Sequence, residues 1–174
     1  MENQTQELQG GILLPVGEYF HRVNGGEWEH SFNIVPTEGI AHILNVALGP
    51  KAKTPNYYLA LFSGAAAPTA SWTAAQFPAV AGEVVSNTEG YSNANRPVWT
   101  PATTETNSID NITTAAQLTI VTSGTLTVTG AALLTAAAKG STTGVLISAT
   151  KFASPRTFQN GDIYELGYRL SLTV

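Results

Sequence analysis

"GDIYELGYRLSLTV", residues 161–174, places Tyr164, Leu166, Tyr168, Leu170, Leu172 and Val174 on every second position. Alternation of period two over that length is the mark of a strand with one face against a core. The turn pair Gly161-Asp162 opens it. Working back along the chain, "TGVLISATKF" (143–152) reads as another strand, and "AAQLTIVTSGTLTVTGAALLT" (115–135) as a hairpin turning at Ser123-Gly124. "NYYLALFSG" (56–64) is a strand with Tyr57, Leu59 and Leu61 on one side and Tyr58, Ala60 and Phe62 on the other. Between residues 65 and 102 Pro and Gly are scattered, so that stretch reads as loop with short edge strands near Glu83–Val85 and Pro97–Trp99. Several strands separated by turn signals predict a mainly β chain, an antiparallel β-sandwich of Ig-like or jelly-roll-like type.

One segment breaks the pattern. In "VPTEGIAHILNVALGP" (35–50), Ile40, Ile43, Leu44, Ala47 and Leu48 recur at helical spacing. Thr37 is the expected N-cap, Glu38 complements the positive end of the helix dipole, and Gly49-Pro50 stop the helix. A helix of about three turns is marginal alone, so this one, over 37–48, must lie on the sandwich by that apolar face. Burial there contributes on the order of 1.5–3 kcal/mol per large side chain.

Upstream, "EYFHRVNGGEWEHSF" (18–32) predicts a β-hairpin turning at Asn24-Gly25, with Tyr19, His21 and Val23 alternating against Phe20 and Arg22. A two-residue turn there sets His21 opposite Trp28 and His30 opposite Tyr19. "MENQTQELQGG" (1–11) is polar and reads as an arm that orders on a partner. The expected organisation is an N-terminal arm and hairpin, 1–34, followed by a sandwich domain, 35–174, that includes the helix.

Charge is sparse: charged residues make up 11% of the 174, against a typical share of about 25%. Such a surface repels its own copies weakly and suits packing against them. Residues 1–45 hold six acids and Arg22 alone (1 − 6 = −5), whereas residues 46–174 hold seven bases and six acids (7 − 6 = +1). With no basic stripe, neither a nucleic acid nor an anionic membrane is an expected partner. The chain has no cysteine, which excludes disulfides, thiol nucleophiles and Cys-ligated metals. The first thirty residues carry no signal-peptide pattern and no apolar run is long enough to span a bilayer, so a soluble protein is expected.

Candidate chemistry is thin. His21, Glu27, Glu29 and His30 are metal-ligand types, but their spacing in a tight hairpin does not converge on one ion, so a polar edge hairpin is expected and no metal. His42 flanks the apolar face of the helix and is expected to be partly exposed. No Gly-x-Ser-x-Gly elbow or phosphate-cradling loop is present. Glu83, Glu89, Asp110, Asp162 and Glu165 are the acids from which a glycosidase pair would have to come. The expectation is no catalytic residues and no cofactor. Tyr19, Trp28, Trp72, Tyr91 and Trp99 are the candidate partner-binding residues, and their aromatic faces could stack on sugar. Because the tryptophans are spread through the chain with no repeated spacing, however, Trp72 and Trp99 are expected to pin long loops to the sandwich.

The order of "NIVPTEGIAHILNVALG" (33–49), "YYLALFSG" (57–64), Arg96-Pro97-x-Trp99, "AALLT" (131–135), "KFASPR" (151–156) and Gly161-Asp162 followed by Tyr168 resembles small structural proteins from the virion modules of tailed bacteriophages. The resemblance runs from about Trp28 to the C-terminus. It implies a β-sandwich component of the tail, neck or fibre attachment, without catalytic residues, assembled in the host bacterial cytoplasm. The partners it implies are other copies of the chain and neighbouring virion proteins. A host-surface glycan-binding module of the tail is the alternative.

Overall fold

The computed structural model describes residues 14–173. The elements are β1 (Leu14–Val23), β2 (Glu29–Phe32), α1 (Thr37–Ala47), β3 (Tyr57–Phe62), β4 (Gly90–Tyr91), β5 (Val98–Trp99), β6 (Ser108–Asp110), β7 (Ala116–Val121), β8 (Leu126–Leu134), β9 (Leu146–Phe158) and β10 (Ile163–Thr173). They form two antiparallel sheets, a β-sandwich. One sheet runs β2-β1-β10-β7-β4, with β6 continuing the β7 side of β10; the other runs β5-β3-β8-β9.

The last strand is central, as its alternation requires. Tyr164, Leu166 and Tyr168 are buried between the sheets with Leu59, Leu61, Leu118, Ile120 and Leu133. The burial fades toward the end of β10: Leu170 is half-buried, Leu172 is exposed, and Val174 lies outside the described residues.

The sequence expectation of an N-terminal hairpin separate from the sandwich is corrected. β1 pairs with β10 from Leu14↔Thr173 to Val23↔Tyr164 and lies between β2 and β10. The boundary at 34/35 therefore cuts through one sheet; residues 1–13 lie outside the described residues. The hairpin register is also shifted by one residue. His21 pairs with Glu29, Phe20 with His30 and Tyr19 with Ser31. Asn24 and Gly25 do turn with positive φ. However, Asn24 N–H donates to Ile163 O (2.9 Å), and its amide oxygen accepts from Ile163 N–H (2.9 Å). The turn is sewn to β10, and the chain takes residues 26–28 to return before β2 begins.

A second correction concerns Ser123-Gly124. β7 and β8 are not a hairpin, since β7 pairs with β10 and β4 whereas β8 pairs with β3 and β9. The turn carries the chain from one sheet to the other.

The excursion after β3 is more than surface loop. Trp72, Ala74, Phe77 and Ala81 cover the outer face of the second sheet and pack on Ala60, Phe62, Ala132 and Leu134. β3 and β8 are thus buried on both faces, which accounts for the unalternated apolar run Ala131–Leu134. Glycine is required at 130, where any Cβ would collide with the Phe62 ring and with Thr150 O. The expected edge strands form where predicted: Phe62 bridges Glu83, and β5 pairs with β3.

Helix α1 forms, but it turns a different face inward. The buried residues are Gly39 and His42, with Ile43 and Val46 half-buried. Ile40, Leu44 and Leu48, expected inside, are 39%, 54% and 85% exposed. Two contacts fix the rotation. Gly39 sits directly on Ile147 O, with no room for a Cβ. Glu38 Oε2 accepts from Ala74 N–H (2.8 Å) and Leu146 N–H (2.7 Å), tying the first helical turn to the loop and to β9. Pro36, not Thr37, occupies the cap position, and no side chain caps it. Thr37 N–H instead donates to Ala70 O (3.0 Å).

Candidate functional site

The sequence-predicted partner residues do not converge. Tyr19 is fully buried, its hydroxyl 2.7 Å from Ser148 Oγ and its ring 4.7 Å from that of Tyr168. Trp72 packs edge-on against Phe62 under the covering loop. Trp99 is buried, and its Nε1–H donates to Tyr168 O (3.0 Å). Tyr91 is buried beneath the Lys139 ammonium, 3.6 Å above its ring. Trp28 alone of the five is partly exposed, and the Arg22 guanidinium lies 4.4 Å over its ring. Trp72 and Trp99 are loop anchors, as read from the sequence, and the five aromatics form no common stacking platform.

Two of the three histidines, His21 and His42, also differ from expectation. His21 is not on a polar edge: it is buried between Phe152 and Tyr164, and its Nε2 has no partner among the described residues. Burial, reinforced by Arg156, pushes its pKa down to about 4. His30 instead sits at the surface, 2.5 Å from Glu18 Oε1. Glu29 pairs with Arg156. His42 is buried rather than partly exposed, with Nε2 3.1 Å from the Tyr57 hydroxyl. Burial and the nearby Lys51 lower its pKa. Among the described residues no group of three or more His, Asp or Glu side chains is placed to hold a metal ion.

Each acid considered for hydrolysis has a structural partner. Glu83 takes Arg96 in a bidentate pair. Glu89 accepts from Thr122 Oγ1 (2.8 Å) and Ser123 N–H (3.1 Å), which hold its carboxyl below the usual range. Asp110 meets Arg169 Nε (3.1 Å), and Glu165 meets Arg22 Nε (2.6 Å). Asp162 Oδ2 accepts Gln159 N–H (2.7 Å) and closes the turn before β10.

Among the described residues two surface features stand out. One is the outward side of α1, with Ile40, Leu44 and Leu48. The other is a cavity of about 570 Å³ where α1 and the segment leading into β3 meet the ends of β5, β6 and β10. Ile43, Trp99, Ile109, Leu133, Ile147 and Leu170 form its apolar walls. Tyr57 stands in one wall, its hydroxyl steadied by His42. Lys53 is the one charged residue in the lining among the described residues.

Sequence reasoning missed this cavity because its walls come from segments far apart in the chain. It also missed the role of Arg96, although a signal exists: Arg96 is the lone base between Lys53 and Lys139. A lone base in a stretch whose other charges are the four acids Glu83, Glu89, Glu105 and Asp110 is a candidate for a buried pair.

No known protein family matches this chain, and no curated protein does.

Proposed function

We propose that the protein is a non-enzymatic structural component of a tailed-phage virion, placed in the tail, neck or fibre attachment. In this reading it joins other copies of itself and neighbouring virion proteins, and it assembles in the bacterial cytoplasm. The observation that carries the reading is the outward face of α1. Three large aliphatics stand in solvent there on a helix whose opposite side is pinned to β9. Apolar groups gathered on one exposed face of a sparsely charged protein mark a contact surface.

The sheet edges indicate how contact is made. β4 and β5 have two residues each, and β5 is flanked by Pro97 and Pro101. β9 is broken by a bulge between Lys151 and Arg156 that exposes Ala153, Ser154 and Pro155. The β2 side is occupied, because Phe32 O accepts from Thr150 Oγ1 (2.7 Å) and Glu29 pairs with Arg156. Short, bulged or covered edges resist strand addition, so association proceeds through side-chain faces.

The test is a pair of exposed substitutions, Leu44→Glu and Leu48→Glu, in the phage that encodes the chain. Mass spectrometry of purified particles is expected to find the wild type present and the double variant depleted at least tenfold. Absence of the wild-type protein from mature particles would overturn the reading. Deleting residues 1–34 is unsuitable as a test, because it removes β1 from the middle of a sheet.

A further inference from the structure

We infer that the cavity beside α1 is a binding site for a free aliphatic monocarboxylate. Its volume of about 570 Å³ falls within the roughly 300–1,000 Å³ of small-ligand sites. The walls given by Ile43, Trp99, Ile109, Leu133, Ile147 and Leu170 offer carbon to a ligand's body and little else. Asn56, Tyr57 and Thr100 are the uncharged polar side chains in the lining, too few for the several hydroxyls of a buried sugar or nucleoside. Most of those hydroxyls would stay unpaired, a strongly unfavourable arrangement. An alkyl chain has nothing to leave unpaired.

Lys53 sets the charge of the head group. It is exposed and lines the cavity, and it makes no hydrogen bond or ion pair among the described residues. The nearest acid in sequence to the lining is Asp110, and Arg169 already holds it. The lining therefore presents one uncompensated positive charge to an apolar interior. That combination complements one anionic head on one alkyl tail, and it disfavours a cation or a dianion. Val98, exposed beside Trp99, continues the apolar surface at the lip. The site is separate from the outward face of α1 and stands whether or not that face assembles.

The experiment is calorimetric titration of the full chain with dodecanoate below its micelle concentration, in parallel with dodecanol, dodecyltrimethylammonium, acetate and phosphatidylglycerol vesicles. Dodecanoate is expected to bind saturably, one per chain, and the alcohol, the cation and acetate at least tenfold more weakly. Lys53→Gln is expected to bring dodecanoate down to the level of dodecanol. It removes no internal contact, so its thermal unfolding is expected to match the wild type. Ile109→Trp is expected to fill the cavity and abolish binding. Should that variant fail to fold, Val98→Asp at the exposed lip is expected to repel the carboxylate at least tenfold. Lack of saturable binding by dodecanoate, equal binding by the alcohol, indifference to Lys53→Gln, or binding to vesicles alone would each overturn the inference.

Discussion

Arg96 and Glu83 form a bidentate pair, Nε–Oε1 and Nη2–Oε2 each at 2.7 Å, with both side chains wholly excluded from solvent. Gly140 N–H donates to the same carboxylate (3.0 Å), and Arg96 Nη1 donates to Ala136 O (2.9 Å). The pair staples three loops together at the end of the second sheet, beside the Arg96 N–H to Ala137 O bond (2.9 Å) and the Lys139 contacts to Asn87 and Tyr91 O. Removing one partner leaves an uncompensated buried charge. Arg96→Met is therefore expected to destabilise the fold by about 3–5 kcal/mol in urea denaturation. The double variant Arg96→Met, Glu83→Leu is expected to recover most of the loss. A single variant within 1 kcal/mol of wild type would show that the pair is not the staple.

The rotation of α1 is testable at one atom. Alanine favours helix over glycine by about 1 kcal/mol, so Gly39→Ala should stabilise a free helix. Here the added methyl meets Ile147 O. The expectation is a net loss of about 1–3 kcal/mol, as for an overpacked core. Leu48→Gln, on the exposed side, is expected to stay within about 0.5 kcal/mol. The reverse order of these two effects in thermal denaturation would restore the face read from the sequence.

His21 makes stability depend on pH. Its pKa falls from 6.5 to about 4 because burial disfavours the imidazolium. Between those values the unfolded chain binds the proton and the folded one does not, so stability rises with pH. The contribution is whole above pH 6.5 and drains away as pH falls toward 4, at most about 3 kcal/mol. Denaturation midpoints at pH 7.5 and 4.5 should differ less for His21→Gln than for the wild type. An unchanged difference would assign the acid sensitivity to other groups.

The tryptophans should separate by burial. Trp72→Ala empties the space under the covering loop and is expected to lose about 3–5 kcal/mol, with faster proteolysis between residues 65 and 85. Trp28→Ala gives up its stacking with Arg22 and is expected to lose less than about 1 kcal/mol. Equal losses would mean that the loop is not anchored by Trp72.

The final strand was legible because its pattern and its place agree: Tyr164, Leu166 and Tyr168 alternate in sequence and face one core. The helix was legible in position but not in rotation. An apolar stripe reports burial only where nothing else positions the element, and here Gly39 and Glu38 position it. The candidate binding aromatics were named for their chemistry; Tyr19 and Tyr91 serve packing instead, and Trp72 and Trp99 serve the loop anchoring expected of them. A large ring is suited to both uses, and periodicity within a loop does not tell them apart.

By itself the sequence determined the class of fold, the turn at Asn24-Gly25 and the limits of the one long helix, because these depend on contacts within a few residues. Tertiary structure alone decided that β1 belongs to the sheet, that β7 and β8 part company, and that Lys53 faces an apolar cavity. Those outcomes depend on which distant segments meet, as Leu14 meets Thr173. Local backbone preference carries no information about partners so far along the chain.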